Sequence, residues 1–146
     1  MDQSNRRIEI EGNSLSDVRK ILRVDGFLDD AEVARRSWRV CEIDDKSIFG
    51  EDARRLASAF RVQNADTFYV ARIRDLLTST SLVVAYRFEA TQDEIEAFQG
   101  PLWFEINLDN CVLFTLPFTC AVLRPGDVDT TKFVGNAAFI AKIGQA

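Results

Sequence analysis

Apolar residues recur along the chain with two periods, one typical of helices and one typical of strands. The helical period is clearest in 50–62, where small and apolar residues return every three or four positions and charged residues fill most of the rest. This spacing predicts an amphipathic helix with one buried face. Three more helices are predicted from a Ser, Asp or Thr that is followed three residues later by an acid, a typical helix start. These predicted helices cover 14–26, 29–36 and 91–98.

Alternation of apolar and polar residues predicts strands. The segments with this pattern, or with a run of apolar residues, are 7–11, 38–43, 67–73, 82–89, 102–108, 111–116 and 118–123. Asp109 and Asn110 both tolerate positive φ, which predicts a hairpin turn before the 111–116 strand. The last segment, 132–143, fits either a strand or a short helix. We therefore expect an α+β fold, with helices mostly in the first half and a predominantly antiparallel sheet in the second half.

The composition indicates one globular domain over 1–146, because 146 residues with 47% apolar content and eleven phenylalanines can fill a core. Polar residues follow Met1, without the apolar run of a secretory signal. The longest apolar run, 111–123, has 13 residues and is interrupted by Pro117, so it is too short to span a bilayer. We expect a cytoplasmic protein that does not bind a membrane.

The chain contains no histidine, the commonest general base near neutral pH and the commonest zinc ligand. Ser–His and Cys–His catalysis and the HExxH metal motif are therefore excluded. The three cysteines, Cys41, Cys111 and Cys120, have no CxxC spacing, and we expect them to be reduced core residues. We predict no catalytic residue, no cofactor and no metal site, and we do not expect an enzyme.

Negative charge is concentrated in 89–129, which carries eight carboxylates, a single base and a net charge of −7. Residues 1–88 are neutral overall and the tail from Thr130 is +2, which gives the total of −5. Such a distribution creates a directional field that attracts a basic partner and repels nucleic acid. The arginine pairs of the first half do not change this expectation, since acids lie near each of them and the isoelectric point is about 4.8.

The residues expected to bind the partner lie in this acidic segment. Trp103, Glu105 and Asp109 alternate along one side of the 102–108 strand and its turn, and we expect them to form the centre of the contact. The remaining carboxylates are expected to steer the partner: Glu89, Asp93, Glu94, Glu96, Asp127 and Asp129. Two other interpretations stay open. The acids can form an ordinary solvated face, in which those near the 91–98 helix start complement its dipole, and Trp103 can be a core residue.

The same carboxylates permit an alternative function. Glu105 and Asp109 could meet Asp127 or Asp129 in space and bind Mg²⁺ or Ca²⁺ through oxygen ligands. Only Asp127 and Asp129 have a DxD spacing, and the sequence contains no EF-hand loop and no Gly-rich phosphate loop. The alternative is a small-molecule-binding protein, or a carboxylate- or metal-dependent enzyme, with a pocket between sheet and helices. An obligate subunit of a larger assembly is a third hypothesis, and the oligomeric state is left open.

In its size and acidity the chain resembles the immunity proteins that accompany secreted and contact-dependent bacterial toxins. The resemblance implies an inhibitor that occludes the basic active site of a nuclease-type toxin, whose cleft must be positive to hold phosphates. Steering by the 89–129 field would raise the association rate, and a few desolvated contacts would hold the complex.

Overall fold

The computed structural model describes residues 6–45, 47–100, 110–125 and 129–144. Within these residues, seven strands form one sheet and six helices pack around it. In chain order the elements are β1 (Arg7–Glu11), α1 (Gly12–Lys20), α2 (Asp30–Arg35), β2 (Arg39–Ile43), α3 (Glu51–Val62), β3 (Thr67–Arg72), α4 (Ile73–Leu76), β4 (Leu82–Glu89), α5 (Gln92–Gln99), β5 (Cys111–Phe114), β6 (Cys120–Arg124), β7 (Thr131–Gly135) and α6 (Ala137–Ile143).

The strand order is β1-β4-β3-β5-β6-β7-β2, and every neighbouring pair is antiparallel. The sheet therefore has β1 and β2 at its edges and two distinct ends. At one end, which we call the Glu89 end, β4 finishes at Glu89 and β7 finishes at Gly135. At the opposite end β2 finishes at Ile43 and β6 finishes at Arg124. We call it the Asp129 end, because Asp129 lies two residues before β7 begins.

Helices cover both faces of the sheet, and each face has its own hydrophobic core. Side chains alternate along a strand, so Phe68 and Val70 of β3 belong to one core and Ala71 belongs to the other. The first face, which we call the Phe face, is covered by α3, α5 and α6. The second face, the α1 face, is covered by α1, α2 and α4. β5 and β6 lie between the two layers and are buried at every position, which accounts for their nearly unbroken apolar sequences.

Phenylalanines fill the core of the Phe face. The ring of Phe68 stacks on Phe60, with centroids 5.1 Å apart, and on Phe88, at 5.5 Å. Phe98 meets the same ring edge-on at 6.3 Å. Seven phenylalanine side chains are fully buried among the described residues. The expectation that phenylalanines build a core is confirmed for these seven.

The predicted fold class is confirmed: the structure is α+β, with helices concentrated early and an antiparallel sheet that is mostly formed by later strands.

Asp29 and Thr91, which predicted the starts of two helices, are the N-caps of α2 and α5. The Asp29 carboxylate accepts the N–H groups of Ala31 and Glu32, at 3.0 and 3.2 Å. Thr91 Oγ1 accepts the N–H of Glu94 at 3.2 Å. These side chains satisfy N–H groups that the first turn of a helix leaves without partners.

The helix predicted over 14–26 is wrong at both bounds, since it begins at Gly12 and ends at Lys20. Its C-terminal part is replaced by a turn, in which Leu22 and Leu28 form an isolated antiparallel bridge. In the same turn, the backbone N–H of Arg23 donates a hydrogen bond to the carbonyl of Phe27 at 2.8 Å. Leu22 and Leu28 are buried in the α1-face core. Tertiary burial, which local spacing does not register, therefore ends the helix six residues before the predicted stop.

The ambiguous segment 132–143 contains both kinds of element, β7 followed by α6. Asn136 separates them, because its side-chain oxygen accepts the N–H of Phe139 at 3.0 Å and caps α6.

The predicted 102–108 strand lies outside the described residues, as does Asp109 of its turn. Within the part of the chain that is described, no helix combines the length and the apolar content needed to cross a membrane.

Gly135 sets how closely α6 approaches the sheet. A Cβ at this position would lie 2.8 Å from Cδ2 of Phe139 and 3.0 Å from Cβ of Cys120. We expect Gly135→Ala to lower the free energy of unfolding by about 1–3 kcal/mol in urea denaturation, because buried groups must move apart. Gly144→Ala is the matched control, with a Cβ that meets the Ile140 carbonyl at 3.4 Å, and should change stability by less than about 0.5 kcal/mol. Equal stabilities of the two variants would contradict this packing.

Candidate functional site

The structure describes five of the nine residues predicted to bind a partner, and it places them at different ends of the sheet. Glu89 and Asp93 are exposed at the Glu89 end, where β4 leads into α5. Asp129 is exposed at the opposite end and precedes β7, which lies four strand spacings from β4, or about 19 Å. Four predicted residues lie outside the described ranges: Trp103, Glu105, Asp109 and Asp127. The role of those four stays a prediction.

Glu94 is neutralised within the protein. Its carboxylate forms a two-point ion pair with Arg6, with Nη1–Oε1 at 2.7 Å and Nη2–Oε2 at 3.0 Å. It also accepts the backbone N–H of Glu89 at 3.3 Å. The hydrogen bonds from Arg6 hold the pKa of Glu94 below its ordinary value, although partial burial acts in the opposite direction. Glu94 therefore connects the residue before β1 to the start of α5 and offers little charge to a partner.

Two side chains of α5 hold the loop that precedes α3. Glu96 Oε2 accepts the N–H of Gly50 at 2.7 Å. The Gln99 side-chain amide accepts the N–H of Ile48 and donates to its carbonyl, both at 2.7 Å. The side chain of Ile48 is fully buried in the Phe-face core. The backbone is therefore fixed on both sides of Phe49, and Glu96, predicted to steer a partner, has a positioning role.

This fixed loop leaves the ring of Phe49 in solvent, with 46% of the residue exposed. Gly50, which follows, has a φ of +58° that a residue without a Cβ adopts most easily, and it is the N-cap of α3. Because the surrounding backbone is already ordered, burying this ring against another molecule would cost little conformational entropy. Exposed aromatic rings held in this way are typical of the anchors in protein interfaces.

Phe49 is one of the eleven phenylalanines that were expected to fill the core, and this expectation is wrong for Phe49, which is exposed. A local signal pointed to the exposure. An apolar residue immediately before an N-cap usually packs against the fourth residue of the helix. In α3 that residue is Arg54, which is exposed and forms an ion pair with Glu51 at 2.5 Å. Phe49 consequently has no apolar partner of this kind.

Three exposed carboxylates lie near this loop at the Asp129 end: Asp44, Asp45 and Asp129. β2 and β7 pair with Ile43 opposite Thr131. The Thr131 hydroxyl also donates to the Asp45 carbonyl at 2.8 Å, so the end of β2 lies beside the residues that precede β7. None of the three carboxylates has an ion-pair partner among the described residues. In the sequence, Asp45 is followed by one positively charged residue, Lys46, which lies outside the described residues. We call Phe49 and the three carboxylates the Phe49 surface.

The cysteines are placed as expected for core residues. None of the three is in a disulfide, Cys111 and Cys120 are fully buried, and Cys41 is half-buried. Burial raises the pKa of the Cys120 thiol to about 12, so this group is protonated and unreactive at neutral pH. Across 6–45, 47–100, 110–125 and 129–144, no three His, Cys, Asp or Glu side chains are grouped as metal ligands would be.

We expect Glu94→Gln to lower the free energy of unfolding at pH 7 by about 1–2 kcal/mol, because Arg6 would lose its charged acceptor. The pKa of Glu94 is lowered in the folded protein, so its contribution is present above the ordinary carboxyl pKa and is lost as pH falls through the folded value. In urea denaturation the difference from wild type should therefore shrink in acid. Glu89→Gln is the control, at an exposed carboxylate, and should change stability by less than about 0.5 kcal/mol. A loss that does not depend on pH would argue against the ion pair.

No protein-family model matches the chain, and no curated protein or solved structure matches it. The function is therefore inferred from the contacts, exposure and charges of the chain itself.

Proposed function

We propose that the chain is a small acidic protein-binding module that masks a basic partner through the Phe49 surface. The observation that carries the proposal is a half-exposed aromatic ring whose neighbours on both sides are hydrogen-bonded to α5. Aromatic anchors near the centre of an interface contribute much more to affinity than the polar contacts around them. A fixed ring on the loop that begins with Asp44 and Asp45 combines such an anchor with unpaired carboxylates on the same loop.

The charges of the Phe49 surface define the partner. Asp44, Asp45 and Asp129 lack a counter-charge in the described chain, so a positive surface would compensate them on binding and a negative surface would be repelled. The partner therefore carries an apolar depression that receives the Phe49 ring, with Lys or Arg side chains around it. Charges of opposite sign at the rim mainly raise the association rate, and the buried ring mainly slows dissociation.

A nuclease-type bacterial toxin fits this description, because its active-site cleft must be positive to hold phosphates. By occluding such a cleft the chain would act as an immunity protein, in keeping with its size and acidity. The remaining predicted residues lie outside the described residues, and their contribution to the contact stays a prediction: Trp103, Glu105, Asp109 and Asp127.

The partner is obtained by capture on the immobilised chain from a lysate of the source organism, with elution in a salt gradient. The proposal requires that the captured protein is basic, has nuclease activity and loses that activity when one equivalent of the chain is added. A basic partner without nuclease activity would refute the immunity function and leave the binding surface to be judged by the variants below. A captured protein that is not basic would refute the masking of a basic partner.

We expect Phe49→Ala to weaken binding of the purified partner by roughly 30-fold or more, the effect of losing a hot spot of about 2 kcal/mol. The matched control is Phe27→Ala, since Phe27 is 41% exposed but lies in the turn between α1 and α2. Isothermal titration should show an affinity within about twofold of wild type for this control. Equal losses in both variants, or no loss in either, would place the contact elsewhere.

We expect the double variant Asp45→Asn, Asp129→Asn to associate about tenfold more slowly at low salt, because rim charges act mainly on the association rate. The difference should shrink as salt concentration rises and screens these charges. The control with the same change in net charge is Glu9→Gln, Glu11→Gln on β1, the sheet edge opposite β2. Stopped-flow measurements compare the two. A control that slows association equally would assign the effect to total charge and not to this surface.

A further inference from the structure

A groove of about 420 Å³ runs along α1 and faces the loop before β4. The residues that line it are Gly12, Leu15, Ser16, Arg19, Lys20 and Ser81. The first five recur at helical spacing, so they lie on one side of α1, and Ser81 lies across from them. Leu15 is buried and belongs to the α1-face core. The polar groups of the groove are two hydroxyls and two cations, without a carboxylate among these lining residues.

The two cations of the groove have no counter-charge in the described part of the chain. Neither Arg19 nor Lys20 forms an ion pair there. Arg19 Nε donates to the carbonyl of Leu76 at 2.8 Å, which fixes the position of the guanidinium. Its Nη2 is buried and has no hydrogen-bond partner among the described residues. A partly buried charge that the protein leaves uncompensated is stabilised by a bound ion of opposite sign.

Several other arginines of the chain have carboxylate partners. Arg72 Nε lies 2.9 Å from Asp75 Oδ2, and Arg36 Nε lies 2.7 Å from Glu32 Oε2. In a chain with a net charge of −5, acceptors for arginine are plentiful. Arg19 and Lys20 are adjacent and have no such acceptor among the described residues, and the groove that they line also presents two hydroxyl donors. This combination suits an external anion.

We propose that this groove binds a small molecule through a phosphate group. A phosphate monoester is a dianion near neutral pH, which matches two cations, and its oxygens accept several hydrogen bonds, which suits a guanidinium, an ammonium and two hydroxyls. The groove is larger than a phosphate ion, so it also accommodates an organic remainder along Gly12 and Leu15. A nucleic acid would be repelled by the acidic chain as a whole, whereas a single dianion responds mainly to nearby charges.

The groove is independent of the Phe49 surface. The Phe49 loop inserts Ile48 into the Phe-face core, whereas the groove lies over Leu15 of the α1-face core, on the other side of the sheet. Binding of a phosphate here neither requires nor excludes the protein partner proposed above. The two proposals can therefore fail separately.

The test is a titration of the ¹⁵N-labelled full chain with glycerol 3-phosphate and, separately, with inorganic phosphate, at ionic strength held constant with sodium chloride. We expect saturable amide shifts at Ser16, Lys20 and Ser81. Lys20→Gln should weaken binding by about tenfold or more, because it removes one of two cations. Lys142→Gln is the matched control, a lysine in the last turn of α6 as Lys20 is in the last turn of α1, and it should leave binding within about twofold.

Arg19→Gln should weaken phosphate binding at least as much as Lys20→Gln. If the NMR spectrum of Arg19→Gln shows that this variant is unfolded, because the hydrogen bond to Leu76 is needed for folding, the Lys20→Gln variant alone tests the site. Saturation by glycerol 3-phosphate only would mean that the organic part contributes, and saturation by both probes would mean that phosphate is sufficient; either result supports the site. Shifts no larger than those caused by chloride, or an equal loss in the Lys142→Gln control, would overturn it.

Discussion

Burial of β5 and β6 on both faces is the constraint on which the rest of the structure depends. Every residue of these two central strands is buried, whereas a strand with one face in water alternates apolar and polar residues. Helices must therefore cover both sides of the sheet, and they do so as two layers with separate cores. The loop before α3 is shaped by the same requirement. Ile48 completes the Phe-face core and Gly50 is bound to Glu96, so Phe49 between them remains outside.

Elements with a strong local signal were predictable, and those decided by distant contacts were not. The α3 helix follows from one apolar face, and the α2 start follows from Asp29, because both signals are contained within a few residues. The 132–143 segment stayed ambiguous because it contains a strand followed by a helix, and the cap at Asn136 divides β7 from α6. The pairing of β5 with β3 joins residues some forty positions apart. No local pattern specifies that partner.

The candidate site shows why charge along a sequence and charge in space differ. The sequence shows the excess of carboxylates in 89–129, but it does not show which groups compensate them. Glu94 is neutralised by Arg6, 88 residues away, and Glu96 is bound to the N–H of Gly50, 46 residues away. Asp44 and Asp45 come from a segment whose charges balance in sequence, yet the β2–β7 pairing places them near Asp129. Only the tertiary structure separates the carboxylates that hold the protein together from those that remain unpaired.

The Phe49 surface and the groove along α1 carry opposite charges. The Phe49 loop is anchored in the Phe-face core through Ile48, whereas the groove lies over Leu15 of the α1-face core. Screening limits the reach of each to a Debye length of about 8–10 Å, so the cations of the groove do not cancel the carboxylates around Phe49. A basic partner of the proposed kind would then be attracted to the Phe49 surface and repelled from the groove, which would orient its approach before contact. The same separation would let a phosphate enter the groove without displacing that partner. For a chain whose net charge is only −5, the position of each unpaired charge, more than the total, determines what binds and where.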